Sequence, residues 1–169
     1  MKIQIERIDK NIPMPAYNIT EINGRKVRAA GLDIFARESV AIPSIHKLYE
    51  IRRELGDAMP EPETIIPMNI KIIYPENSMA FLMPRSSLCI KKHLMFGNSI
   101  GLIDESFRSE HGIIAVNYGF NTVHIEKGEK LAQLVFLNTV ATDIVEVENI
   151  GETTHTGFGS SDKKERSCK

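Results

Sequence analysis

The spacing of its breaks restricts this chain most. Short apolar runs alternate with turn residues, and a turn signal returns roughly every eight to twelve positions. Lys2 to Ile8 carries Ile3 and Ile5 in alternation, with Ile8 out of phase. Pro13 and Pro15 then force an extended connection, because each lacks an N–H and restricts the residue before it. Strands are predicted over Ala29–Ala36, Val40–Pro43, Met68–Tyr74, Met79–Met83, Gly112–Asn117, Val123–Ile125, Lys130–Leu137 and Ile144–Val147. Between them lie a turn at Pro75–Ser78, a polar bend at Pro84–Leu88, and turns around Tyr118–Asn121 and Lys127–Gly128. Ala29, Ala30 and Gly31 are small enough to let another group approach closely. Such a pattern predicts a mainly β sandwich, jelly roll or small barrel.

One segment breaks the pattern. Ser44 is placed to cap a helix whose Ile45, Leu48, Ile51 and Leu55 share one face. Gly56 stops it, with Pro60 and Pro62 just beyond. A single helix over residues 44–56 is expected. Beyond Ile150 the chain turns to Gly, Thr, Ser and charges, and reads as a mobile arm over 151–169 on a β domain of residues 1–150.

The net charge of −1 gives no general nucleic-acid surface, so an anionic ligand would have to be held locally. No apolar run reaches membrane-spanning length, and the opening Met1–Arg7 is charged from its second residue, unlike a secretory leader. The two cysteines, Cys89 and Cys168, are far apart and in no metal-ligand spacing. A soluble protein of a reducing compartment is expected: cytoplasmic, or nuclear or host-cell soluble if viral.

The stretch Gly97–Ser109 concentrates chemistry. It reads as a β-hairpin around Gly101, exposing backbone N–H and C=O groups that can read the edge of a flat ligand. Asn98 adds an amide that both donates and accepts. Asp104 would sit beside the pocket and Phe107 would cover it.

Five segments in order resemble the five motifs of the trimeric dUTP pyrophosphatase (dUTPase) family: Ala30-Gly-Leu-Asp-Ile-Phe-Ala36, Pro84-Arg-Ser-Ser-Leu88, Gly101-Leu-Ile-Asp-Glu-Ser-Phe-Arg108 with Asn98 upstream, Gly128-Glu-Lys-Leu-Ala-Gln-Leu-Val-Phe136, and Gly157-Phe-Gly-Ser-Ser161. The resemblance covers nearly the whole chain except 44–63, which reads as an insertion. It implies a jelly-roll-like fold, a homotrimer with active sites between subunits, and hydrolysis of dUTP to dUMP and pyrophosphate with Mg²⁺. By the same resemblance Asp104 is the general base. Asn98, Gly101, Leu102 and Ile103 read uracil, and Phe107 packs on the deoxyribose where the family usually has Tyr. Arg85, Ser86, Ser87 and Gln133 hold phosphate, and Phe158 stacks on uracil when the arm closes. Asp33 braces Arg85 or reaches the metal through water. Mg²⁺ is expected on the triphosphate and water, with no direct protein ligand.

The fifth motif departs from the family pattern. Thr153-Thr-His-Thr-Gly157 stands where an arginine and glycines are usual, which predicts a weaker preference for triphosphate over diphosphate. Ser109 replaces a usual Gly. Two rival readings stand beside this one, the first from the altered fifth motif and the second from the resemblance of the Arg85-Ser-Ser87 segment to a related family. One is a catalytically weak dUTP-binding relative that acts on a protein partner through residues 44–63. The other is a dCTP deaminase, whose base would be Glu rather than Asp104.

Overall fold

The computed structural model describes residues 2–55 and 61–152. Twelve strands follow one another as β1 (Gln4–Arg7), β2 (Ala16–Ile22), β3 (Arg25–Phe35), β4 (Val40–Ile42), β5 (Glu63–Pro67), β6 (Ile70–Ile73), β7 (Ser78–Pro84), β8 (Leu94–Phe96), β9 (Gly101–Ile103), β10 (Gly112–Asn117), β11 (Val123–Ile125) and β12 (Lys130–Asn138). Two helices interrupt them, α1 (Ile45–Leu55) after β4 and α2 (Ser86–Lys92) after β7. The largest sheet runs β2-β3-β12-β7-β9, a second runs β5-β10-β8, and the pairs β1-β6 and β11-β4 complete the set. Every strand pairing is antiparallel. The fold is jelly-roll-like.

Alternation decides which face of each strand meets the core. In β10, Ile113 and Ala115 point inward with Asn117, and in β7 Ser78, Ala80 and Leu82 do the same. β3 changes character along its length: its first half is exposed, whereas Gly31–Phe35 is buried on both faces. Ile34, Ile66, Met68, Ile70, Ile72, Leu94, Ile113, Leu131 and Leu134 form the centre of the core.

Four expectations need correction. The predicted hairpin around Gly101 does not form. Its two arms join different sheets, β8 pairing with β10 and β9 with β7. The bend lies earlier, at Phe96–Ser99, where Ser99 takes a left-handed conformation (φ 62°) and donates its N–H to the Phe96 carbonyl at 3.1 Å. The polar bend expected after Pro84 is instead helix α2, stopped by His93 in the left-handed region (φ 53°) with Lys91 and Lys92 in its last turn. Seven residues burying only Leu88 carry too weak a periodicity to read. The strand expected over Ile144–Val147 does not form, and Ile144 is 96% exposed. Finally, the extended connection after Pro15 is strand β2, joined to a longer β3 by a turn with Asn23 (φ 52°) and Gly24 (φ 74°) both left-handed. Asn-Gly is the dipeptide such a two-residue hairpin favours.

The helix expected at 44–56 is α1. Ser44 caps it: its Oγ accepts from His46 N at 3.2 Å and donates to the Gly119 carbonyl at 2.5 Å. That second bond ties the helix start to the turn after β10. Of Ile45, Leu48 and Ile51 on the predicted apolar face, Leu48 is buried, Ile45 half-buried and Ile51 exposed.

Candidate active site

Two clusters hold the chemistry. The first is a cleft of about 560 Å³ lined by Leu82, Asn98, Gly101–Asp104, Ser106–Ser109, His111 and Gly112. β9 forms one wall. Among the described residues it pairs only with β7 and ends its sheet, so its outer backbone N–H and C=O groups have no strand partner there. The backbone passes close to β7 at Gly101, where a Cβ would press on Leu82 Cβ at 3.1 Å and touch the Asn98 amide nitrogen at 3.6 Å. The side chain of Asp104 is exposed and makes no hydrogen bond or ion pair among the described residues. Its backbone carbonyl accepts from Phe107 N at 3.1 Å, closing a tight turn that carries the ring and the carboxylate together. The Arg108 guanidinium clasps that turn through the carbonyls of Glu105 and Phe107.

The second cluster surrounds Asp33, which is fully buried at the end of β3. Pairing of β12 places Gln133 opposite Asp33, and Gln133 Nε2 donates to Oδ1 at 3.0 Å. Asn18 from β2 donates to Oδ2 at 2.9 Å, and Lys130 Nζ donates to the same oxygen at 3.3 Å. Arg85 Nε lies 3.6 Å from Oδ1. Burial alone would raise this carboxyl. The hydrogen bonds from Gln133 and Lys130, the Arg85 charge and the Asn18 amide outweigh it and hold Asp33 below the usual carboxylate range. Gly31 makes the cluster possible, because a Cβ there would lie 2.7 Å from Gln133 Cβ. Ser86 and Ser87 open α2 beside Arg85, which occupies the cap position without capping through its side chain.

Of the residues singled out in the sequence, Asn98, Gly101, Leu102, Ile103, Asp104 and Phe107 therefore meet in one cleft. Arg85, Gln133 and Asp33 meet in the other cluster and do not line that cleft. Phe158 and the rest of the fifth motif lie outside the described residues, as do residues 56–60 of the segment proposed for a partner. Sequence reasoning missed Asn18, Lys130 and His111. Lys130 sits opposite Phe35 beside a bulge in the β3–β12 register, and no local pattern announces such a neighbour.

The family model for dUTPase matches residues 57–162. The chain belongs to the dUTPase family. This dUTPase-family chain is 34% identical over 165 residues to the deoxyuridine 5'-triphosphate nucleotidohydrolase of Clostridium novyi, covering 95% of the chain and 99% of the relative. It is 32% identical to the enzyme of the same name from Clostridium tetani, with 96% and 97% covered. Its fold is that of the Staphylococcus bacteriophage 80alpha dUTPase, solved as a point mutant with dUpNHpp. That structure superposes with a TM-score of 0.70 at 24% identity, over 95% of this chain and 98% of the other. Among the described residues no helix is long and apolar enough to cross a membrane.

Proposed function

We propose that this chain hydrolyses dUTP to dUMP and pyrophosphate. Relatives named for that reaction, matched over nearly their whole length, support the substrate. The observation that carries the chemistry is the exposed, unpartnered Asp104 carboxylate on the same turn as Phe107, beside the open edge of β9. In this reading Asp104 orients a water and takes its proton as the water oxygen attacks the α-phosphorus. The bond from that phosphorus to the bridging oxygen of the β-phosphate breaks, and pyrophosphate leaves with the electron pair. General-base assistance of this kind contributes about 10²- to 10⁴-fold.

Specificity comes from the other residues of the cleft. The Asn98 amide and the outer backbone of Gly101–Ile103 match the acceptor and donor edge of uracil. Cytosine would set donor against donor, a mismatch that can discriminate by ~10⁴ or more. The Phe107 ring packs on the deoxyribose and leaves no room for a 2′-hydroxyl. Ser86, Ser87, Gln133 and Arg85 hold the phosphates, and Phe158 closes over the base. Cleft and phosphate cluster work together across subunits of a homotrimer. Support for shared sites comes from the exposed apolar side chains of Ile65, Ile73, Met95 and Leu102.

The residues fit a Mg²⁺ ion carried in on the triphosphate. Both Asp33 oxygens already accept from protein donors, so this carboxylate would meet the ion through water. When bound, Mg²⁺ neutralises charge on the phosphate oxygens.

Product analysis with dUTP and Mg²⁺ tests the proposal, wild type beside Asp104→Asn. Pyrophosphate and dUMP from the wild type, with a loss of about two orders of magnitude or more in the variant, is the expected result. An Asp104→Asn enzyme within tenfold of wild type would remove Asp104 as the base. Ammonia released from dCTP would overturn the reaction class.

A further inference from the structure

His111 is 1% exposed, lies at the floor of the Asp104 cleft and has no part in the chemistry above. Its backbone is held twice, the N–H donating to the Ile70 carbonyl at 2.9 Å and the carbonyl accepting from Met68 N at 2.8 Å. Its ring is held twice as well. Nδ1 lies 3.1 Å from the Ile70 carbonyl, which can only accept, so Nδ1 carries the proton. Nε2 then accepts from the Tyr74 hydroxyl at 2.7 Å. The imidazole cannot turn or flip without losing one of these bonds in a place where water cannot replace it.

What rests on this locked ring is Phe107. The two rings meet at 89° with centroids 5.2 Å apart. Behind His111 stand Tyr74, at 6.0 Å and tilted, and then Phe136 at 6.0 Å from Tyr74. A file of rings thus runs from the β7–β12 sheet to the cleft. Phe107 itself lies on a loop and is 38% exposed; its N–H donates to the Asp104 carbonyl and its own carbonyl accepts from the Arg108 guanidinium, bonds that tie the backbone and leave the ring free. Its orientation needs a rigid support. A leucine at 111 would fill the space but leave the buried Tyr74 hydroxyl without its acceptor, whereas the satisfied polar pair fixes one arrangement of both rings.

We propose that His111 is the positioning residue for Phe107, fixing the ring that distinguishes deoxyribose from ribose. The inference rests on the reading of Phe107 as the sugar-facing wall. Because the Phe107 N–H bonds to the Asp104 carbonyl, His111 also steadies the proposed base at second hand. Tyr74 is the partner that holds the imidazole in register.

The test is the ratio of kcat/KM for dUTP over UTP, measured with Mg²⁺ for wild type, His111→Leu, Tyr74→Phe, Phe107→Ala and the double variant His111→Leu/Phe107→Ala. Aromatic pairs of this geometry are worth about two- to tenfold, so His111→Leu lowers the ratio by that factor. Tyr74→Phe, which keeps the core filled, lowers it in the same direction. In the Phe107→Ala background His111→Leu changes the ratio less than about twofold, because its effect acts through the missing ring. Equal losses in both backgrounds would overturn the proposal, as would a ratio unchanged by His111→Leu and Tyr74→Phe but lowered by Phe107→Ala. A ratio that Phe107→Ala leaves unchanged would instead sink the reading of Phe107, and the inference with it. Should His111→Leu fail to fold, Tyr74→Phe alone and with Phe107→Ala carries the same comparison.

Discussion

Replacing Asp33 by Asn changes one oxygen for an NH₂ group and little else, and the structure says what that costs. Asn can still accept from Gln133 at one position, now held at 3.0 Å. At the other, its NH₂ would face the donors Asn18 (2.9 Å) and Lys130 (3.3 Å), so one amide bond becomes a donor–donor contact. A hydrogen bond to a buried charge is worth about 1.5–3 kcal/mol, and leaving its donor unmet adds to the loss. The ion pairs are weaker, because the side chains of Lys130 and Arg85 are 40% and 29% exposed, and solvent screening holds each to about 1 kcal/mol or less. The expected net destabilisation is about 3 kcal/mol. Urea unfolding followed by circular dichroism, at one fixed protein concentration, would show the midpoint fall by about 1.5 M for a slope near 2 kcal/mol/M. The pH dependence has a definite sign. A carboxyl held below its ordinary value adds stability that is complete above the unfolded pKa and is lost as pH falls through the folded one. The gap between wild type and Asp33→Asn should therefore stay constant from pH 7 to 5 and narrow below about pH 4. A loss under about 1 kcal/mol at pH 7 would refute Asp33 as the acceptor that organises this corner.

Two further outcomes are expected. Gly31→Ala places a Cβ 2.7 Å from Gln133 Cβ and pushes that side chain off Asp33, costing about 1–3 kcal/mol and raising KM for dUTP more than it lowers kcat; unchanged urea midpoint and KM would contradict the close approach. Burial holds the His111 imidazole below its ordinary value, so below about pH 6.5 the unfolded chain takes up a proton that the folded one resists. Stability should fall as pH drops from 7 to 5, and His111→Leu should flatten that slope; an identical slope in the variant would mean that His111 does not titrate on unfolding.

Much of this was legible in the residues. Alternation placed β10 to the residue, because it buries one face and period two is a local property, and the apolar runs of β11 and β12 were located nearly as well. Ser44 announced α1 because a cap acts within its own first turn. The smallness of Gly31 was visible, though not that Gln133 fills the space it leaves. Asp104, Phe107, Asn98 and Gly101 declared themselves as one motif, since a single bend and a single short strand bring them together.

Pairing between distant segments was not legible. Whether the arms expected on either side of Gly101 form a hairpin depends on which strand offers the better partner. β8 finds β10 and β9 finds β7, so the expected local pairing loses to two nonlocal ones. Of the partners of Asp33, Arg85 was expected from the family resemblance, but Asn18 and Lys130 were not, and only the sheet order β2-β3-β12 brings those two to the same carboxylate. His111 carried no motif signal at all. Its meaning arises from the carbonyl of Ile70 and the hydroxyl of Tyr74, which the folded chain sets on either side of one ring. Local rules act through neighbours in sequence, so they settle periodicity, caps and turns. Hydrogen-bond partners contributed from across a sheet are chosen by the topology, and here the topology turned a buried histidine into a support for the cleft.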